Sequence, residues 1–154
     1  MKKEYITYSV SQTKKLGGIL AKKILKIQPS NKAFIIGLEG DLGGGKTTFL
    51  QGFAKGLGIK EKILSPTFVI MKKFKVQGGR FKVFYHIDCY RIKEPKEILN
   101  LGFKEIISNP ENIVVIEWVE HIKKIMPKDM FLIKFKFLDK NTRKIIKDFY
   151  NMLK

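Results

Sequence analysis

The sequence predicts an α/β fold, with a mostly parallel central sheet, flanking helices and added antiparallel hairpins. Three observations lead there. The apolar run "KAFIIGLEG" (32–40) passes at once into the glycine-rich "GDLGGGKTT" and then into "TTFLQGFAKGLG", whose apolar residues fall at helical spacing. A second continuous apolar run, "NIVVIEW" (112–118), has the character of a strand buried on both faces, the kind found in parallel sheets. Two other pairs of alternating runs are each joined by turn-forming residues, which is the pattern of a hairpin.

Taken in order, "EYITYSV" (4–10) alternates as a strand, and "SQTKKLGGILAKKIL" (11–25) switches to a helix with Leu16, Ile19, Leu20 and Ile24 on one face. Ser9 followed by Gln12 fits a capping box at its start. Gly17 and Gly18 weaken this helix by roughly 1 kcal/mol each relative to alanine, so another element is expected to pack close to its backbone. The helix after the glycine loop carries Phe49, Leu50, Phe53 and Leu57 on one face, with Gly58 where a C-terminal cap is expected. "TFVIMKKFKV" (67–76) and "RFKVFYHID" (80–88) form a hairpin around Gln77, Gly78 and Gly79. "EPKEILNLGFKEIIS" (94–108) is helical with a break near Gly102, and Pro110 marks the start of the strand that follows. "MFLIKFKFLDKNTRKIIKDFY" (130–150) closes the chain as a second hairpin around "DKNT".

The chain has 154 residues, 44% of them hydrophobic and 12% aromatic, which suits a single packed domain over 1–154. "MKKEYITYSV" lacks an apolar core of signal-peptide length, and "AFIIGL" falls far below the roughly 20 residues that span a bilayer, so a soluble cytoplasmic protein with no membrane partner is expected. Cys89 is the single cysteine, which excludes an internal disulfide and a cysteine-based zinc site and leaves a small half-buried hydrophobe. The net charge of +17 comes from lysine, the arginines being Arg80, Arg91 and Arg143. Such a field attracts RNA, other polyanions or an acidic protein, and it equally describes a solvated lysine surface. No segment concentrates arginine or interleaves aromatics as a base-reading RNA surface does.

Gly40, Gly45, Lys46 and Thr47 satisfy G-x-x-x-x-G-K-[ST], with Asp41 and Leu42 at variable positions. In this pattern glycines let successive backbone N–H groups curl around phosphate oxygens, the lysine meets the β- and γ-phosphates, and the hydroxyl meets Mg²⁺. The stretch Gly40, Asp41, Leu42, Gly43, Gly44, Gly45, Lys46, Thr47 and Thr48 is therefore the candidate ATP site, and the helix starting near Lys46 adds its positive dipole end. A second acidic ligand for the metal is expected at the end of a neighbouring buried strand. Glu117, ending "IVVIE", and Asp88, ending "VFYHID", both qualify. Their alternatives are a helix cap or a surface ion pair. His86, two residues before Asp88, should point the same way, either to tune Asp88 or to contact a nucleotide, or as a hydrogen-bonded structural histidine. His121 has no comparable company. Trp118 either covers the nucleotide or a partner, or simply packs.

These residues resemble the TsaE (YjeE) family of bacterial P-loop ATPases, which are needed for the threonylcarbamoyladenosine modification of tRNA. The likeness rests on "GDLGGGKTT" at Gly40, "SPTF" at Ser65, "HIDCYR" at His86, "LGF" at Leu101 and "IEWVE" at Ile116, in the family's order and at similar spacing. The resemblance implies a P-loop NTPase fold and a Mg²⁺-dependent ATPase, weak alone and activated with TsaB and TsaD, which place the threonylcarbamoyl group on adenosine 37 of tRNA. It implies that tRNA is met directly or through that complex. It assigns phosphate and Mg²⁺ binding to Lys46 and Thr47, a metal-site acid to Glu117, and support of the metal or the attacking water to Asp88. Thr67 would sense the γ-phosphate, and Ser11 and Thr13 would sit by the adenine. The departures are Gly44 for a common alanine, Cys89 for an apolar residue and Val119 for a proline. Two rival functions remain: a small-molecule kinase, which would want arginines to clamp a second substrate, and a basic RNA-binding module that retains nucleotide binding.

Overall fold

The structure, a computed structural model, describes residues 2–41, 43–64 and 70–148. Leu42, Ser65 and Thr67 of the candidate segments lie outside the described residues. The described elements are strand β1 (Lys2–Thr7), helix α1 (Val10–Ile24), β2 (Phe34–Gly40), α2 (Lys46–Gly56), the β3 (Met71–Lys75) and β4 (Val83–Asp88) hairpin, α3 (Lys96–Leu99), α4 (Phe103–Ser108), β5 (Asn112–Glu117), a 3-10 segment (Val119–Ile125), β6 (Phe131–Phe137) and β7 (Arg143–Asp148). The seven strands form one sheet in the order β1-β7-β6-β2-β5-β4-β3. Its four central strands run parallel, while β1, β7 and β3 are added antiparallel at the two sides.

Phe34 to Leu38 pair with Ile113 to Glu117 on one side, and Ile36 to Gly40 pair with Phe131 to Phe135 on the other. Strand β2 thus lies in the middle of the sheet, with Ile36 and Leu38 in the core on one face and Ile35 in the core on the other, which is why it reads as an uninterrupted apolar run. Two cores result, one on each face of the sheet. Leu20, Ile24, Phe49, Phe53 and Phe84 fill the first beneath α1 and α2, and Ile87, Ile98, Phe103, Ile116 and Val119 fill the second.

The close approach expected at Gly17 is between α1 and α2. A Cβ on Gly17 would sit on the Phe49 carbonyl oxygen and 2.9 Å from the Phe53 nitrogen, and one on Gly52 would lie 2.6 Å from the Lys14 Cα. Because the helices meet backbone to backbone, the buried face of α1 is Thr13, Gly17, Leu20, Ala21 and Ile24. Ile19, expected on the buried face, is instead 42% exposed. At the N-terminus of α1 the Gln12 N–H donates to Ser9 Oγ at 3.1 Å, and the Gln12 side chain accepts from the Tyr8 N–H at 2.8 Å. The box therefore closes one residue earlier than the pattern predicts.

Gly78 and Gly79 take φ of 79° and 74° in the β3–β4 turn, and Gly102, at 79°, separates α3 from α4. Cys89 is fully buried rather than half-buried, and its desolvation pushes the thiol pKa up to about 12. Sequence periodicity did not anticipate the 3-10 segment Val119–Ile125. Its Ile122 interrupts the helical conformation at φ −128°, leaving too short a run to show a period. Among the described residues, no helix is long and apolar enough to cross a membrane.

Candidate functional site

The glycine loop leaves the carboxyl end of β2 and turns into α2. Gly40 has φ 143° and lies so close to β6 that a Cβ would overlap the Phe135 carbonyl oxygen, so only glycine permits this register. Gly43 and Gly45, at φ 76° and 98°, complete the turn, and Gly45 precedes the first residue of the helix, Lys46.

Beside this loop is a cavity of about 260 Å³. One wall is Gly43 through Thr48, another is Ser9, Val10 and Thr13 at the start of α1, a third is Glu117 and Trp118, and Lys140, Asn141 and Arg143 of the β6–β7 hairpin close it. A Cβ on Gly45 would approach Arg143 Cγ to 3.5 Å and Thr13 Cγ2 to 3.7 Å, so a side chain there would fill the space between loop and walls.

The Lys46 ammonium donates to the carbonyl oxygens of Gly40 and, at 2.9 Å, of Asp41, and it lies 4.1 Å from the centre of the Trp118 ring. Burial pulls its pKa below the ordinary lysine value, against the opposing pull of Glu117 first and then Glu120, Asp41 and Asp88. Thr47 Oγ1 donates to Glu117 Oε1 at 3.3 Å, while Glu117 Oε2 accepts from His86 Nε2 at 2.6 Å. The register explains this grouping. His86 pairs with Val115 and Asp88 with Glu117 across the parallel strands, so alternation brings His86, Asp88 and Glu117 to the face that α2 covers.

His86 thus serves Glu117 by a hydrogen bond. Asp88, buried at the end of β4, accepts from the Tyr90 N–H at 2.9 Å and adds to the field on Lys46. His121 does have company: its Nδ1 donates to the Cys89 carbonyl at 2.7 Å and its ring lies 5.5 Å from that of Trp118. Trp118 is the one non-glycine residue with positive φ among the described residues, at 57°. A bulky residue there is strained. That conformation, with the Tyr90 ring tilted against it at 5.1 Å, carries the indole over Lys46.

Of the other expected site residues, Thr13 lines the cavity and bonds Thr7 hydroxyl to hydroxyl at 2.7 Å. Ser11 is exposed and does not line it; Ser9 and Val10 do. Thr67 and Leu42 fall outside the described residues. Sequence reasoning missed Arg143, Asn141, Lys140 and Glu120. The first three reach the cavity through the β6–β7 turn, where Arg143 is held by the Asp139 and Thr142 carbonyls at 2.7 and 3.1 Å. Glu120 accepts from the Gly40 N–H at 3.3 Å and leaves its other oxygen buried without a partner. Its position in the unforeseen 3-10 segment hid it.

This donor set can hold a polyphosphate and a hard divalent cation. Among the described residues no three histidines, cysteines or carboxylates form a metal cluster. Mg²⁺ asks for none, since it keeps much of its water and takes one or two protein oxygens together with substrate phosphates. The Thr47 hydroxyl and Glu117 carboxylate supply such oxygens beside the loop.

The family model described as "Threonylcarbamoyl adenosine biosynthesis protein TsaE" matches residues 7–145. The chain is similar to the "tRNA threonylcarbamoyladenosine biosynthesis protein TsaE" of Haemophilus influenzae, 33% identical over 81% of this chain and 76% of that one. It is also similar to the protein of the same name from Rickettsia felis, 38% identical over 86% and 71% of the two chains. Among solved structures, the crystal structure of Bacillus subtilis YdiB superposes with a TM-score of 0.68 at 28% identity, covering 96% of this chain and 84% of that one.

Proposed function

Because this chain belongs to the TsaE family, whose role is in tRNA threonylcarbamoyladenosine biosynthesis, we propose that it is a cytoplasmic Mg²⁺-dependent ATPase acting with TsaB and TsaD in forming the threonylcarbamoyl group on adenosine 37 of tRNA. The observation that carries this reading is the Thr47–Glu117 pair, 3.3 Å apart at the mouth of a glycine loop whose lysine is already buried against it.

In this reading the loop N–H groups and the N-terminus of α2 bind the phosphates, and Lys46 exchanges the Gly40 and Asp41 carbonyls for phosphate oxygens. Bound Mg²⁺ would neutralise charge developing on the β- and γ-phosphates. Thr47 and Glu117 would hold that ion through their oxygens, with His86 fixing the Glu117 carboxylate. Asp88, fixed by the Tyr90 N–H in register with Glu117, would support metal binding or orient the attacking water. Trp118 shields the lysine from solvent. A small-molecule kinase is less well supported, since the arginine lining the cavity, Arg143, is engaged by turn carbonyls.

The test is ATP hydrolysis by the purified chain, alone and with TsaB and TsaD, against Lys46→Ala and Glu117→Ala. Stimulation by the partners, loss of ATP binding in Lys46→Ala and retained binding with poor turnover in Glu117→Ala are expected. Phosphate passing instead to a metabolite would assign the loop to a kinase.

A further inference from the structure

Helix α1 carries Lys14, Lys15, Lys22 and Lys23, and Lys26 follows in the turn beyond it; all five are exposed, and the helix contains no acidic residue. Among the described residues no carboxylate lies within ion-pairing distance of any of the five, whereas Lys32, Lys123, Lys134 and Lys144 are each matched to an acid. Lys15 and Lys22, seven apart on α1, lie on a single stripe, and Lys26 follows in the turn directly beyond it. At 1.5 Å per residue the helical part from Lys15 to Lys22 runs for about 10 Å, along which one strand of a nucleic-acid duplex presents about three phosphates, and Lys26 extends it.

From this stripe we infer an RNA-backbone contact surface on the outer face of α1, and its occupant is tRNA. The inference rests on the tRNA-modification role proposed above and adds to it that this chain touches the RNA itself. Three features favour phosphate over an acidic protein. Lysine is depleted at protein–protein interfaces, which are anchored by aromatic residues and arginine. The stripe has neither, its one apolar member being Ile19, 42% exposed. Lysine is a mobile point charge suited to phosphates and unsuited to reading bases, so the contact would be independent of sequence. Its direction is also defined, because the N-terminus of α1 lines the cavity through Ser9, Val10 and Thr13. An RNA strand lying on the stripe runs towards the proposed nucleotide site.

The experiment titrates a fluorescent unmodified tRNA transcript with the full chain, without nucleotide, between 50 and 200 mM salt. The variant is Lys15→Gln/Lys22→Gln/Lys26→Gln. The control, Lys93→Gln/Lys96→Gln/Lys104→Gln, removes the same charge from exposed positions around α3 and α4. The stripe variant should bind about tenfold more weakly near 0.1 M salt, with a salt slope smaller by about two to three, while the control stays within about twofold. Equal losses in both variants would overturn the inference in favour of a diffuse field. So would no loss in either, or no measurable tRNA binding by the unaltered chain. Retained tRNA affinity with lost association to TsaB and TsaD would overturn it in favour of an acidic protein partner. ATP hydrolysis by the unaltered chain is measured separately, so failure of the ATPase reading is told apart from failure of this one.

Discussion

His86 Nε2 lies 2.6 Å from Glu117 Oε2, with the two side chains 0% and 2% exposed, and the other oxygen of the same carboxylate accepts from Thr47. A carboxylate oxygen can only accept here, so Nε2 carries the proton. The imidazole therefore holds the angle at which Glu117 faces the loop, as partners of metal-binding carboxylates do. His86→Ala should lower ATP turnover by about 10- to 100-fold while changing ATP affinity by less than about threefold, and His86→Gln should recover part of the loss. Steady-state kinetics with a separate binding titration checks this. An unchanged turnover number would mean that Glu117 keeps its place without the ring.

Trp118 is the single tryptophan of the chain, and the Lys46 ammonium sits 4.1 Å from its ring. Moving that cation to a phosphate changes the field at the indole. Adding ATP and Mg²⁺ should shift Trp118 emission saturably, and Lys46→Ala should abolish the response. Emission that ignores the nucleotide would mean that Lys46 stays where it is.

Lys147 is buried on β7 over the Tyr5 ring at 4.5 Å, and desolvation, then Lys23 and Lys3, pull its pKa down to about 8. Above that value the folded chain gives up a proton that the unfolded chain keeps until near its ordinary pKa of 10.5. Stability from this group is thus lowest at neutral pH and rises between about pH 8 and 10. Lys147→Met should be more stable than the parent at pH 7, by about 1–3 kcal/mol, and should lose most of that advantage by pH 10. Urea midpoints at the two pH values decide it, and an advantage of equal size at both would assign the gain to packing alone.

Gly52 allows α2 to lie against the backbone of Lys14, where a Cβ would approach the Lys14 Cα to 2.6 Å. The obstacle is main chain, which cannot rotate away. Despite the better helix propensity of alanine, Gly52→Ala should cost about 1–3 kcal/mol, lowering Tm by about 2–12 °C. Calorimetry is the check. A stabilised variant would mean that the two helices can part at little cost, and the cavity wall at Ser9 and Thr13 would have to shift with them.

The parts of this molecule legible in its sequence are those governed by local chemistry. The runs at Phe34 and Ile113 announce doubly covered strands, Gly78, Gly79 and Gly102 mark positions of positive φ, and the Gly40–Thr48 pattern stands between a strand and a helix. Relations between distant segments were not legible. His86 bonds Glu117 because β4 and β5 align with Asp88 opposite Glu117, a register that neither strand encodes alone. Ile19 faces solvent because the partner helix approaches at the glycines, which helical spacing cannot show. Arg143 reaches the cavity only once the β6–β7 hairpin crosses beside β2.

The pairing of β1 with β7, Lys2 opposite Asp148 and Thr7 opposite Arg143, also imposes a schedule. As the chain emerges from the ribosome, α1 to α4 and the strands β2 to β5 can come together once Glu117 has left the exit tunnel. Strand β1, the first of the described strands in the chain, has as its one neighbour in the sheet β7, the last of them. Until β7 is made its hydrogen-bonding edge has no native partner, and the lysines at positions 2 and 3 supply the like-charge repulsion that keeps such an edge from pairing with another nascent chain.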